Sequence, residues 1–299
     1  MPKTILTDRD IEDHARRGET ILVLSEDTFL TDLAYEKARA LGITLLQAGP
    51  DQPPAAPLRP YLSRTSAPGT SLAAQSGRNL LRFTPQTPEA ALRAAIVETG
   101  RLAYQSGLMV SNDGNISVRL PDGNILITPS GVSKGRIQPG ELLVIDPEGN
   151  LVRPAADPAL RPTSEQPMHL EVYRQRPDVR AVIHTHLIFA NALAISRGQI
   201  RMDVIPEAAM SFGSVPITGF SMPSSTQNAE AIRGLVGAHD VILIRNHGSL
   251  TLGRDLDEAL IRLERLEHVA KTLTFAELLG GVNPLPAELL EAIAQTMKK

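Results

Sequence analysis

Proline settles where secondary structure can run in this 299-residue chain. Residues 49–88 hold eight of the 23 prolines, with Ser, Thr and Gly scattered between them. Proline locks φ and removes a backbone donor, so neither a helix interior nor a central strand crosses such a stretch. Arg59, Arg64, Arg78 and Arg82 face one acid there, Asp51. This composition reads as an extended linker. It divides the chain into a small unit, residues 1–48, and a main domain, residues 89–299.

In the small unit, Thr7 can cap a helix that runs to about Arg17 and stops at Gly18. Thr20–Leu24 reads as a strand. A second helix, about Thr31 to Leu41, carries Leu33, Ala34, Ala38 and Leu41 on one face, and Ile43–Leu46 reads as a second strand. Strand, helix and strand fit one parallel crossover. Two strands alone are marginal, so this unit is expected to lean on another surface and to serve docking or assembly.

The main domain opens with a helix from Pro88 to about Ser106. Strands at 114–119 and 125–128 flank Pro121-Asp-Gly-Asn124, and Asp-Gly between apolar runs signals a hairpin. Leu142–Asp146 and Leu151–Val152 look like another. A helix follows from about Ser164 to Arg176, capped by Thr163 or Ser164. Ala181–His186 and Val241–Arg245 read as strands, and helices span about Leu256–Leu279 and Pro286–Met297. Hairpins mixed with helices predict a largely antiparallel sheet covered by helices.

Composition narrows the functional classes. Thirty Lys+Arg against 33 Asp+Glu give a net charge of −3, with no basic surplus for nucleic acid. Aromatics are 3% and Trp is absent, which disfavours base-stacking platforms. Zero Cys excludes disulfides, thiol nucleophiles and cysteine-bound zinc. The densely charged N-terminus lacks an apolar leader, and no apolar run suits a membrane span, so a cytoplasmic protein is expected.

Chemistry concentrates in a few places. His184 and His186 lie two apart at a strand end, so both rings leave one face. Two imidazoles so placed begin a zinc-type site; the same spacing also fits two half-buried surface histidines. His247, between an apolar strand and Gly248, supplies a third nitrogen. Glu165 begins a helix beside Thr163 and Ser164, either as a charge complementing the helix dipole or as a base near the metal. His169, one turn on, is read as packing. The loops Gly114-Asn115-Ile-Ser117 and Thr128-Pro-Ser130-Gly131, with Thr163-Ser164, could surround a phosphate. Lys134 sits in Ser-Lys-Gly-Arg, read as an exposed turn, which argues against a Schiff-base lysine.

Gly-Asn-Ile-Ser, Thr-Pro-Ser-Gly, Thr-Ser-Glu, His-Thr-His and Asn-His-Gly occur here in that order. Over about residues 89–282 the sequence resembles the class II aldolase/adducin family. The resemblance implies an α/β/α sandwich on a mostly antiparallel sheet, beyond which the N-terminal α/β unit is extra. It implies a homotetramer with active sites between subunits. It gives His184, His186 and His247 the role of zinc ligands, one Zn2+ per subunit, with other divalent metals admissible. Glu165 matches the base that can also bind the metal, and Asn115, Thr128, Ser130, Gly131, Thr163 and Ser164 match the phosphate-binding positions. Fuculose-phosphate aldolases place a tyrosine proton donor after the His-x-His region. Val204–Met210, read as the corresponding stretch, has none, and Glu207 is the substitute acid there.

The expected activity is zinc-dependent cleavage of a phosphorylated ketose through a metal-stabilised enediolate. A sugar-phosphate dehydratase or 4-epimerase of the same family, and a non-enzymatic adducin-like scaffold, are the alternatives. The expected partner is a small sugar phosphate, with no nucleic acid or membrane.

Overall fold

Alternation of apolar side chains along each strand is what builds the main unit. In a computed structural model, residues 4–24, 28–47 and 80–296 are described. Cα proximity divides the chain between Ala74 and Gln75. Of the expected linker, 49–79 lies outside the described residues. Its last stretch belongs to the main unit: Leu81 is buried in that unit's core and Phe83 packs against it. The apolar face of a short helical turn, not proline content, decides that boundary.

The first unit contains β1 (Thr4–Leu6), α1 (Asp8–Arg16), β2 (Ile21–Leu24), β3 (Thr28–Leu30), α2 (Asp32–Ala40) and β4 (Thr44–Gln47). The expected parallel crossover is present as β2 beside β4. A second parallel pair, β1 beside β3, is added to it. Thr7 N–H and Oγ both donate to Asp10 at the start of α1. Ile11, Leu22, Leu24, Ala34, Ala38, Ile43 and Leu45 form the core. Leu41, expected on the buried face of α2, is instead half exposed, because the helix has ended and Gly42 turns the chain at φ +70°.

The second unit is an eight-stranded sheet in the order β10-β11-β12-β9-β5-β6-β7-β8. Its strands are β5 (Asn115–Arg119), β6 (Ile125–Ile127), β7 (Leu143–Ile145), β8 (Leu151–Arg153), β9 (Ala181–Thr185), β10 (Ile217–Phe220), β11 (Val241–Arg245) and β12 (Gly248–Gly253). Only β10 and β11 run parallel; every other neighbouring pair is antiparallel.

Helices cover both faces. On one side lie α3 (Glu89–Gln105), α5 (Ile188–Arg197), α6 (Pro206–Phe212) and α8 (Leu256–Leu278), and α9 (Ala287–Thr296) packs on α6. On the other lie α4 (Gln166–Gln175) and α7 (Gln227–Ile232). The strands feed the two cores alternately. Ile116, Val118, Ala181, Ile183, Val241 and Leu243 enter the first. Val182, Ile242, Ile244, Leu250 and Leu252 enter the second. The α/β/α sandwich on a mostly antiparallel sheet is therefore present. Among the described residues, no helix is long and apolar enough to cross a membrane.

Candidate metal centre and anion loops

Antiparallel pairing brings distant pieces of sequence to one end of the sheet. β9 ends where β5 and β12 begin: Asn115 lies opposite His184, and Ser249 opposite Thr185. His184 shares the parity of Val182, so it leaves the sheet toward α4, whose N-terminus carries Glu165. His247 occupies the turn between β11 and β12, where Asn246 adopts φ +57°. Close approach demands Gly248. A Cβ there would lie 2.4 Å from the Thr185 carbonyl oxygen and within 2.9 Å of the rings of His184 and His186.

One nitrogen from each of His184, His186 and His247 falls within 4.8 Å of the others. His184 Nδ1–H donates to the Ser249 carbonyl at 2.9 Å, which fixes the tautomer and leaves Nε2 as a lone pair. That lone pair lies 2.9 Å from Glu165 Oε2 and 3.2 Å from His186 Nε2. Glu165 Oε2 is buried and receives no hydrogen bond among the described residues. Lone pairs aimed at one another repel unless a cation lies between them, and a divalent ion fits this donor set.

Burial lowers the pKa of His186 and takes His247 down to about 4. Both rings are therefore neutral and free to ligate near neutral pH. For Glu165, burial opposes the charge. A hydrogen bond from His184 and attraction to His184 and His247, whenever those rings are protonated, together with the Ser224 N–H bond, outweigh it and hold the carboxyl below the usual carboxylate range.

Several supports come from residues the sequence reading did not single out. Ser224 N–H and Asn228 Nδ2 both donate to Glu165 Oε1, at 3.3 and 3.2 Å. Asp113 Oδ2 lies 3.5 Å from His186 Nδ1 and orients that ring. Glu267 on α8 accepts from the N–H groups of Phe189 and Ala190, capping the helix that follows His186. A carboxyl at the residue before Gly-Asn was the one available cue for Asp113. Ser224, Asn228 and Ser249 lie in ordinary polar loops.

The three polar loops read from the sequence as a phosphate site meet. Thr163 N–H donates to the Thr128 carbonyl, Ser130 N–H to the Arg161 carbonyl, and Pro129 bridges Pro162. Ser130, Gly131 and Ser164 are exposed, and Ser164 Oγ lies 2.8 Å from Ser224 Oγ. Asn115 and Thr163 are buried. Thr128 is fully buried, and its hydroxyl accepts from Ile116 N–H, so it ties loops together. The cap of α4 is Glu165, not Thr163 or Ser164, since Thr163 instead accepts from Glu165 N–H ahead of the first helical turn. Within one chain Glu207 lies outside the histidine cluster, exposed on α6, which packs against α8 and α9.

Lys134 differs from its reading as an exposed turn residue. It is 3% exposed, and its Nζ donates to the Asn112 carbonyl at 2.7 Å. Burial takes its pKa down to about 8. Gly100 makes room for it, because a Cβ on α3 there would lie 2.3 Å from the Lys134 carbonyl oxygen.

An L-fuculose phosphate aldolase of Methanococcus maripaludis is 34% identical over 172 residues, 57% of this chain and 89% of the relative. A 3-oxo-tetronate 4-phosphate decarboxylase of Escherichia coli is 31% identical over 189 residues, 62% and 87% of the two chains. The crystal structure of YgbL from Escherichia coli superposes with a TM-score of 0.64 at 27% identity, covering 69% of this chain and 98% of that one. The L-fuculose-1-phosphate aldolase from Thermus thermophilus gives 0.55 at 30% identity, covering 65% and 98%. Residues 94–274 match the Class II Aldolase and Adducin N-terminal domain, and the chain belongs to that family.

Proposed function

We propose that this chain is a divalent-metal lyase that breaks a carbon–carbon bond beside the carbonyl of a phosphorylated sugar. The observation that carries the reading is the orphaned Glu165 Oε2 facing the Nε2 lone pair of His184. In this reading His184, His186 and His247 hold the ion, and zinc suits three neutral imidazoles. A bound ion supplies positive charge against which negative charge developing on the substrate's carbonyl oxygen is stabilised. Glu165, held by Ser224 and Asn228, moves the proton at the reacting carbon. Asn115, Ser130, Gly131, Thr163 and Ser164 take the phosphate, with Thr128 bracing their loops. The intact histidines support a catalyst over a scaffold. Ile188, Phe220 and Met222, exposed at 66%, 66% and 54%, follow the sites of His186 and precede Ser224; they support a second copy covering this region in a tetramer.

Aldol cleavage is the first reading. Decarboxylation of a 3-oxo acid phosphate is the second, favoured by the name of the Escherichia coli relative. Both leave the same kind of carbanion for Glu165 to protonate. The test is to assay metal-loaded protein with ketose phosphates and 3-oxo acid phosphates, following aldehyde and CO2. Aldehyde supports the first reading and CO2 without aldehyde the second. Loss of water or epimerisation alone points to the family's other chemistry. Full activity in metal-free protein overturns both readings.

A further inference from the structure

Along β5 the sequence alternates Asn115-Ile-Ser117-Val-Arg119. The apolar members enter one core, and Asn115 and Ser117 therefore face α4 on the other side. There they meet His169 and Tyr173, one turn apart on that helix and both buried. Tyr173 OH lies 2.8 Å from Ser117 Oγ. Ser117 Oγ lies 2.6 Å from His169 Nδ1, and His169 Nε2 lies 2.5 Å from Asn115 Oδ1.

Protons can be placed along this line by elimination. Tyr173 OH has no other partner among the described hydrogen bonds, and a buried hydroxyl that fails to donate is costly. Its proton therefore goes to Ser117 Oγ. Ser117 then donates to His169 Nδ1, and the neutral ring carries its proton on Nε2. Nε2–H needs an acceptor, so Asn115 must present its amide oxygen. The Asn115 NH2 is turned the other way. Asn115 is 4% exposed, and its Nδ2 has no partner among the described hydrogen bonds. The residue lies opposite His184 in the sheet register, beside the metal ligands.

We propose that Tyr173, Ser117 and His169 form a one-directional hydrogen-bond relay that locks the Asn115 amide with its NH2 aimed at the substrate phosphate. His169 is then a positioning residue that touches no substrate. The inference rests on the preceding reading that Asn115 binds the phosphate. Burial supports it by keeping His169 uncharged, so that the ring titrates only at about 3.

The experiment uses the full chain loaded with its metal and inorganic phosphate as the probe. Titration calorimetry should find phosphate binding about tenfold weaker in His169→Phe, the effect of one misdirected bond to a charged group. His169→Gln, which can still donate to Asn115, should bind within about threefold of the parent. Nitrogen NMR of the imidazoles should show His169 solely as the Nε2–H tautomer, and Tyr173→Phe should admit both tautomers. An Nδ1–H tautomer in the parent overturns the relay, even if His169→Phe does not fold. Unchanged phosphate affinity in His169→Phe, with affinity lost in Asn115→Ala, also overturns it. Unchanged affinity in Asn115→Ala overturns the phosphate reading itself and the purpose of the relay with it.

Discussion

A histidine ligates well only if its other nitrogen is held, and two of the candidate ligands differ in how that is done. His184 donates to a strand carbonyl, a partner no substitution removes. His186 relies on the Asp113 carboxylate. Asp113→Ala should therefore lower metal affinity by about 10–100-fold while leaving the donor set intact. Competition with a chelator measures this; unchanged affinity would reduce Asp113 to a surface charge. His169 yields a second expectation, on stability. Its pKa is depressed from 6.5 to about 3, chiefly by burial. Below pH 6.5 the unfolded chain takes up a proton that the folded chain refuses, so stability falls as pH drops from 6.5 toward 3. His169→Gln should flatten that part of the melting-temperature profile, and identical slopes would contradict the assignment. The clustering of His184, His186 and His247 was legible in the sequence as a candidate site, with Glu165 beside it, because His-x-His, Asn-His-Gly and Thr-Ser-Glu are local motifs. Asp113, Ser224 and Asn228 were not, because only folding brings them to the ligands. Lys134 was misread for a related reason: only folding brings its backbone against Gly100 and its Nζ to the Asn112 carbonyl.

Elements with a clean period were legible too. Both hairpins, strand β9 and the long helix α8 were read from alternation, Asp-Gly and helical periodicity; the structure adds the cap of α8, the Asp255 side chain accepting from Glu258 N–H. β12 was not, although it is central to the sheet. It reads Gly-Ser-Leu-Thr-Leu-Gly, which resembles a loop. The glycines are there because neighbours press on both ends: at Gly253 a Cβ would lie 2.6 Å from the Asp255 carbonyl oxygen. β10, α5, α6 and α7 were missed as short pieces whose apolar residues serve tertiary packing more than local periodicity. Gly248→Ala tests the element-level argument. Its Cβ would strike the Thr185 carbonyl and both neighbouring imidazoles, so it should destabilise by about 1–3 kcal/mol and loosen the metal. Gly219→Ala on edge strand β10 meets nothing within 4 Å and should do neither. Thermal melts with metal analysis compare the two, and equal behaviour would remove the steric account.

At the scale of the whole molecule the question is which part of the chain the chemistry needs. The family match covers 94–274, and each residue given a role lies at or beyond Asp113. The first unit has its own core and two parallel strand pairs, which suits a docking or assembly element that takes no part in turnover. Where to cut is decided by packing, not by proline. A chain beginning at Thr84 loses Leu81 from the main core, the Phe83 ring packed beside it, and the Arg82–Asp257 ion pair at 2.8 Å. The buried leucine alone makes this costly, about 2–5 kcal/mol by analogy with truncation of a core leucine. The exposed Arg82 pair adds little. A chain beginning at Gln75, the edge of the second unit, keeps all three. It should bind one divalent ion per subunit, sediment as the same assembly as the full chain, and turn over substrate at a similar rate. The chain from Thr84 should melt lower and lose metal more readily. A Gln75 chain that folds and holds its metal yet is inactive would show that the first unit takes part in the site. Equal melting of the two truncated chains would show that Leu81 contributes nothing to the core it occupies.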